Sequence, residues 1–335
     1  MKKTIRAIAL LLAVLMTVMT CACGNKDGNG IHEDECVLTV SGHEVPYGLY
    51  RYFFLNYKSA YPEEKIKESP DEIYAKLREE TLNALRGMYA VIALCSEYGI
   101  GVSDEDIRQK VETTKASIKD QYASDEDKTG ERGFAEELAA NYMTESVFDL
   151  VFALDFCEEK LMMELTGEGG ELYVDDKTFR TVLDEEFVCV KQVYINIDET
   201  DKTYDECRAL ADTVRKKAAD GADFKELVAQ YSNDYSMPMQ GYYVTHGYMS
   251  DKFETVAFAL GEDEVSDVLE LSDGFHIIKR FAMDDEYVEK NFQTLRERYY
   301  QCRLQMKVDA KEPSVSVSET EAYKKIDPAK IALEK

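Results

Sequence analysis

The sequence predicts an α+β protein of more than one domain. Three observations carry that expectation. Apolar residues recur at helical spacing through most of the stretch 36–186. From Phe187 the period changes to four short strand-like runs separated by capped helices. Beyond Met283 a single long helix follows with its own apolar stripe. At 335 residues the chain has room for two such domains.

Taken in order, Lys2, Lys3 and Arg6 precede an apolar run from Ile8 to Met19, broken only by Thr17. That run suits the core of a signal peptide and is short for a membrane span. Thr20-Cys21-Ala22-Cys23-Gly24 follows and resembles a bacterial lipobox, with Ala22 before Cys23 the better fit. The resemblance implies cleavage after residue 22 and lipidation of Cys23, although Thr20 stands where a hydrophobic residue is usual. An ordinary signal peptide that releases a soluble protein is the alternative. Two acyl chains on one cysteine would hold the protein at the outer face of the bacterial membrane, where one chain would not. Residues 23–35 read as a tether.

The net charge is −26, and the removed segment holds bases but no acid, so the mature chain is more acidic still. Such a surface repels nucleic acid and anionic lipid heads, and it attracts basic unfolded chains at low salt. Of eight cysteines, Cys36, Cys95, Cys157, Cys189, Cys207 and Cys302 follow Cys23 with no CxxC pair and no histidine at ligand spacing. They read as scattered core thiols, and no metal or other cofactor is called for.

Within 36–186 one strand, Val37–Val40, leads into helices. Leu49, Phe53, Phe54 and Tyr57 share one face. Ser69-Pro70 opens a second helix, Ser103 to Asp106 a third with Ile107, Val111 and Ile118 on one face, and Thr144 caps a fourth with Leu150, Leu154, Cys157, Leu161 and Leu165 in a stripe. The second region begins with a strand, 187–197. A capping box, Thr203 to Glu206, then opens a helix bearing Cys207, Leu210 and Val214. Asp223–Glu226 and Asp251–Glu254 read as further caps. Gly241–Val244, Val265–Leu269 and Phe275–Phe281 read as strands, the last two joined at Ser272-Asp273-Gly274.

Two resemblances follow from these pieces. VLTVSGHEVPYGLYRYFFLNY, LCSEYGIGVSDEDIRQKVE and MTESVFDLVFALDFCEEKLMMEL resemble the N-terminal chaperone region of the SurA and PrsA foldases. FVCVKQVYINI, GADFKELVAQYSND and GYYVTHGYMSDKFETVAFALGEDEVSDVLELSDGFHIIKRF resemble, in order and spacing, the parvulin-type peptidyl-prolyl isomerase, also called the PpiC rotamase. The resemblance implies a parvulin domain at 187–283, a four-stranded antiparallel sheet with flanking helices. It also implies that this domain is inserted in a helical domain, 36–186, completed by the C-terminal helix 284–310. Residues 311–335 read as a polar tail.

By position in the family pattern, Met249 and Phe253 form the proline cup, and Tyr242 or Tyr243 supplies its wall. His276 matches the second of two floor histidines and Asp234 the nearby acid or cysteine. Gln192 stands where the first histidine belongs, and it can hydrogen-bond but carries no charge. The alternative for Phe253 and His276 is a place in the core; His246, in a predicted loop, reads as a surface residue. The function implied is a foldase for exported chains containing Xaa-Pro bonds. The alternatives are a holding chaperone with a parvulin fold and, more remotely, a solute-binding lipoprotein. The stripe Val288, Phe292, Leu295, Tyr299, Cys302 and Met306 could instead be a coiled-coil seam of a homodimer.

Overall fold

A computed structural model describes residues 28–197 and 201–332. The signal segment 1–22, Cys23 and the first part of the tether lie outside the described residues. The chain divides into two units: residues up to 165 together with 307 onward, and the continuous stretch 166–306.

The first unit opens with β1 (Cys36–Val40) and β2 (His43–Pro46), paired antiparallel. The turn between them places Gly42 at φ +86°, a region that glycine enters without strain. Then come α1 (Tyr47–Lys58), α2 (Glu63–Glu68), α3 (Pro70–Glu97), α4 (Glu105–Tyr122), α5 (Glu131–Ala140) and α6 (Glu145–Thr166). Every residue of α1 from Tyr47 to Leu55 is buried, including Arg51, whose guanidinium lies 3.6 Å from the Glu33 carboxylate. Lys115 of α4 has a side chain only 7% exposed, and it reaches Glu145 at 3.0 Å and Asp149 at 2.6 Å on α6. These partners compensate an otherwise costly buried cation.

The second unit holds α7 (Asp176–Glu186), β3 (Val188–Asn196), α8 (Tyr204–Ala219), α9 (Phe224–Tyr231), β4 (Tyr242–Val244), α10 (Asp251–Ala259), β5 (Leu269–Leu271), β6 (Gly274–Phe281), α11 (Asp285–Lys290) and α12 (Phe292–Lys311), the last turn of which belongs to the first unit. Its sheet is antiparallel, in the order β4-β3-β6-β5. Successive strand residues point to opposite faces, and the burial follows. Val193, Ile195, Phe275 and Ile277 pack against Cys207, Ala211 and Val214 of α8 and Phe224 and Leu227 of α9. Cys189 and Tyr243, on that same face, pack with Phe187 and with Phe179 of α7 and Phe292 and Leu295 of α12. On the other face Val188, Val190, Val244 and Ile278 meet Phe253, Ala257 and Leu260. The predicted capping box of α8 is present, with Glu206 N–H donating to Thr203 Oγ1 and Thr203 N–H to Glu206 Oε2.

Several boundaries differ from expectation. Helix α7 groups with the sheet-bearing unit and not with 36–186, because Phe179, Val182 and Leu183 are buried against Phe187 and Cys189. The stripe of 284–310 likewise spends Phe292 and Leu295 on that cluster, and Asn291 separates two helices there. The third strand is β5, displaced toward the turn, and Val265 makes only an isolated bridge to Lys279. Residues 311–335 are not a loose polar tail over their described length. Val317–Glu319 forms β7, which pairs antiparallel with β1 (Val40↔Val317), so the first unit has a three-stranded sheet, not a single strand. Val315, Tyr323, Ile326 and Ile331 are buried, and Tyr323 sets its ring edge-on to Tyr50 at 5.4 Å.

All six cysteines among the described residues are free, and five are buried.

Candidate functional site

The even-numbered positions of β3 read Val188, Val190, Gln192, Tyr194 and Asn196. One face of the strand therefore turns from apolar to polar along its length. Register brings Tyr194 opposite His276 and Gln192 opposite Ile278, so Gln192 and His276 are diagonal neighbours on that face. Both are buried, at 8% and 5% exposed. His276 Nδ1 lies 2.8 Å from Gln192 Oε1, and Gln192 Nε2 donates to Asp234 Oδ2 at 2.7 Å.

This arrangement has one consistent proton assignment. An ionised carboxylate only accepts, so the amide of Gln192 must present its NH2 to Asp234 and its oxygen to the histidine. His276 Nδ1 then carries a hydrogen. Its Nε2 lies 3.4 Å from Asp273 Oδ1; when that nitrogen also carries a hydrogen, the imidazolium donates to Asp273 and holds its carboxyl below the usual range. The imidazole is stacked on Tyr194 (4.6 Å, 13°) and meets the ring of Phe253 edge-on (6.3 Å, 89°).

Asp234 reaches this face because the segment after α9 is stitched along β3 beyond the end of β4. Tyr194 N–H donates to Ser232 Oγ, Asn233 N–H to Tyr194 O, and Asn196 N–H to Asn233 Oδ1. The carboxylate also accepts from Tyr242 Oη at 2.9 Å and Ser236 Oγ at 2.8 Å. Burial, helped by the Asp234 charge, pushes the Tyr242 phenol up to about 12, so it remains a donor. Gly241, just before β4, has φ +94°, and a Cβ there would sit 2.6 Å from Val190 O. Glycine is what lets the chain turn in so close beside β3.

The apolar side of the site comes from α10 and the loop before it. Phe253 is 3% exposed within the cluster of Val188, Val190 and Ile278, while Met249 and Tyr242 are half-buried against the same cluster. Sequence reasoning took Asp251–Glu254 as a helix cap. The cap position is Ser250, with no side-chain cap bond, and Glu254 does something else. Buried at 7%, it turns back to accept Gly247 N–H at 3.0 Å and Met249 N–H at 2.6 Å. It thereby fixes the loop that delivers Met249.

Of the expected site residues, Gln192, Asp234, His276, Phe253 and Tyr242 are brought together by these contacts, with Met249 on the same cluster. Tyr243 is not among them. It follows Tyr242 on a strand and so points through the sheet, where it is 1% exposed, stacks on Tyr287 at 4.6 Å and accepts from Asp284 N–H. His246 is half-exposed and stacks on Phe258. Sequence reasoning missed Tyr194, Asp273 and Glu254. The period-two pattern of β3 could have found Tyr194; Asp273 and Glu254 read as turn and cap chemistry.

Residues 193–282 match the Rotamase family, described as the PPIC-type PPIASE domain. Gln192 lies one position before that stretch, while Asp234, Met249, Phe253 and His276 lie inside it. The foldase protein PrsA of Geobacillus kaustophilus is 26% identical over 231 residues, 68% of this chain and 70% of that protein. Foldase protein PrsA 1 of Bacillus cereus is 32% identical over 117 residues, 34% of this chain and 40% of that protein. A crystal structure of the peptidylprolyl isomerase PrsA from Bacillus anthracis aligns at 22% identity and a TM-score of 0.36, covering 69% of this chain and 94% of that one.

Proposed function

We propose that this chain, which carries a parvulin-type peptidyl-prolyl isomerase domain and is a homologue of the PrsA foldases, rotates Xaa-Pro bonds of unfolded exported polypeptides on the sheet face between Gln192, His276 and Phe253. The observation that carries the reading is the hydrogen-bonded pair Gln192–His276 set against the edge of Phe253.

The chemistry asks for no nucleophile. Rotation about Xaa-Pro is slow, tens to hundreds of seconds, because the amide has partial double-bond character. Twisting it uncouples the nitrogen lone pair from the carbonyl and reduces the dipole. A dry apolar cup therefore favours the twisted amide over the planar one. Met249, Phe253 and Tyr242 supply that cup. The chain Asp234–Gln192–His276 holds the imidazole in one orientation, as preorganised polar groups must be held to act without reorganising. Gln192 keeps the hydrogen bonds that a histidine would make there without its proton.

Isomerisation of a test peptide by the full chain, followed by exchange NMR, decides the reading. Turnover above the uncatalysed rate, lost with Phe253→Ala, supports it. No turnover, with aggregation of an unfolded client still prevented, means a holding chaperone, the reading that the missing first histidine favours.

The same reading places the protein outside the cytoplasm, lipid-anchored through Cys23. Cys23→Ser should release it from membranes or leave the precursor uncleaved. Unchanged membrane partition would defeat the anchor at that cysteine. Among the described residues no helix is long and apolar enough to cross a membrane.

A further inference from the structure

The site has a carboxylate at each end of its hydrogen-bonded line, Asp234 beyond Gln192 and Asp273 beyond His276. Among the described residues neither meets a lysine or arginine. Asp234 is held by Gln192, Tyr242 and Ser236, all uncharged donors. Among the described residues the ion-pair partner of Asp273 is His276, which pairs with it when protonated. Arg298 and Arg280 donate to the main-chain oxygens of Tyr243 and Leu260 and not to either carboxylate.

Asp273 is also fixed in place. Its main-chain oxygen accepts from Tyr194 Oη at 3.1 Å and Ile197 N–H at 3.4 Å. The next residue, Gly274, lies so near β3 that a Cβ would fall 2.1 Å from Ile195 O. The backbone that carries the carboxylate is thus held at the turn beside β3. The Asp273 side chain is nonetheless 53% exposed, so a chain bound beside His276 can reach it.

We propose that Asp273 determines specificity: a residue flanking the substrate proline is preferentially lysine or arginine, and Asp273, seconded by Asp234, recognises its charge. This rests on the isomerase reading above. A peptide with its proline at Phe253 and His276 lies across a line whose two ends are carboxylates that no lysine or arginine among the described residues pairs with. A flanking cation there gains a partner, and a flanking carboxylate meets repulsion. The net charge of −26 adds long-range attraction of the same sign.

The experiment is isomerisation of Ala-Xaa-Pro-Phe peptides by the full chain, with Xaa lysine, arginine, alanine or glutamate, at low and high salt. The expected order in kcat/KM is lysine and arginine above alanine above glutamate. The lysine-to-glutamate ratio should be about tenfold or more at low salt and shrink as salt screens the pair. Asp273→Asn keeps the turn residue type and should compress that ratio severalfold. Asp212→Asn, an exposed acid on α8, should leave it unchanged and so separates local recognition from net charge. Equal rates across the series, a reversed order, or a ratio that Asp273→Asn does not move would overturn the proposal. If no peptide is turned over, the isomerase reading fails first; the affinities of the same peptides then test the charge preference by the same ratios.

Discussion

The two faces of the four-stranded sheet are built for different ends. One has α8 and α9 over one half and α7 and α12 over the other, and apart from the opposed Lys191 and Lys279 and Glu270 what it contributes is apolar. The other is covered by α10, and beyond that helix it carries the buried Gln192 and His276 and the half-buried Tyr194 in place of valine and isoleucine. Stability is concentrated on the closed face and polarity is admitted on the open one. A buried polar group costs free energy unless it is paired, and here the pairs form one continuous line from Tyr242 through Asp234 and Gln192 to His276 and Asp273.

This contrast can be broken from either side. On the closed face, Phe275 is fully buried beneath α8 and α9. Phe275→Ala should cost about 3–5 kcal/mol of stability, read by denaturant unfolding, while kcat/KM per folded molecule changes little. A proportionate loss of kcat/KM would mean that the faces are not separable. On the open face, Phe253→Ala should lose both, because that ring belongs to the apolar cluster and to the contact with His276. Met249→Ala, at a half-buried position, should lower the rate at a smaller stability cost. Both should reduce the rate more than Gln192→Ala, whereas Gln192→His should raise it or leave it unchanged.

A finer test concerns the loop carried by Glu254. Glu254→Ala orphans the N–H groups of Gly247 and Met249, and it should lower the rate about as far as Met249→Ala does. The double variant should then be barely worse than either single one, because both remove the same wall. Glu254→Gln, which keeps one acceptor oxygen, should fall between. Full additivity in the double variant would show that Glu254 acts elsewhere.

The smallest expected effect is one of pH. Asp273 is held below its unfolded value by His276. Its contribution to stability is thus complete above the unfolded carboxylate range, about 3.9, and is lost as pH falls through the folded value. Asp273→Asn removes that contribution at neutral pH. Parent and variant should therefore converge in stability on acidification. Curves that stay parallel down to acid pH would deny the pairing.

Legibility from sequence divides along the same lines as contact range. In the sheet-bearing unit the information is local. The Thr203 capping box and the alternation of β3 and β6 follow from neighbours a few positions apart. So do most of the site residues, once the family pattern aligns them. Tyr242 and Tyr243 show where locality stops. Alternation says that one of them faces the site, but only the pairing Val190↔Tyr242 says which. The stripe on α12 is similar, since periodicity reveals an apolar face without naming what covers it. The segment after Lys311 was illegible for a stronger reason. Its buried residues, Val315, Tyr323, Ile326 and Ile331, follow no helical or strand period, and Pro313 and Pro328 lie among polar residues. Their partners are some 280 positions away in the sequence, as with Thr320 Oγ1 and the carbonyl of Cys36 at a separation of 284.

That separation sets an order of events when the chain is made. Synthesis proceeds from the N-terminus at about 5–20 residues per second, so one edge of β1 waits roughly 15–60 s for β7 to exist. Throughout that interval the first unit has an open strand edge, the kind that invites pairing with other chains. The stretch 166–306 has no such debt, for every strand of its sheet lies within it, and it can close as soon as α12 emerges. The inner unit therefore finishes before the outer one, and the three residues of β7 act as a latch that the outer unit receives last.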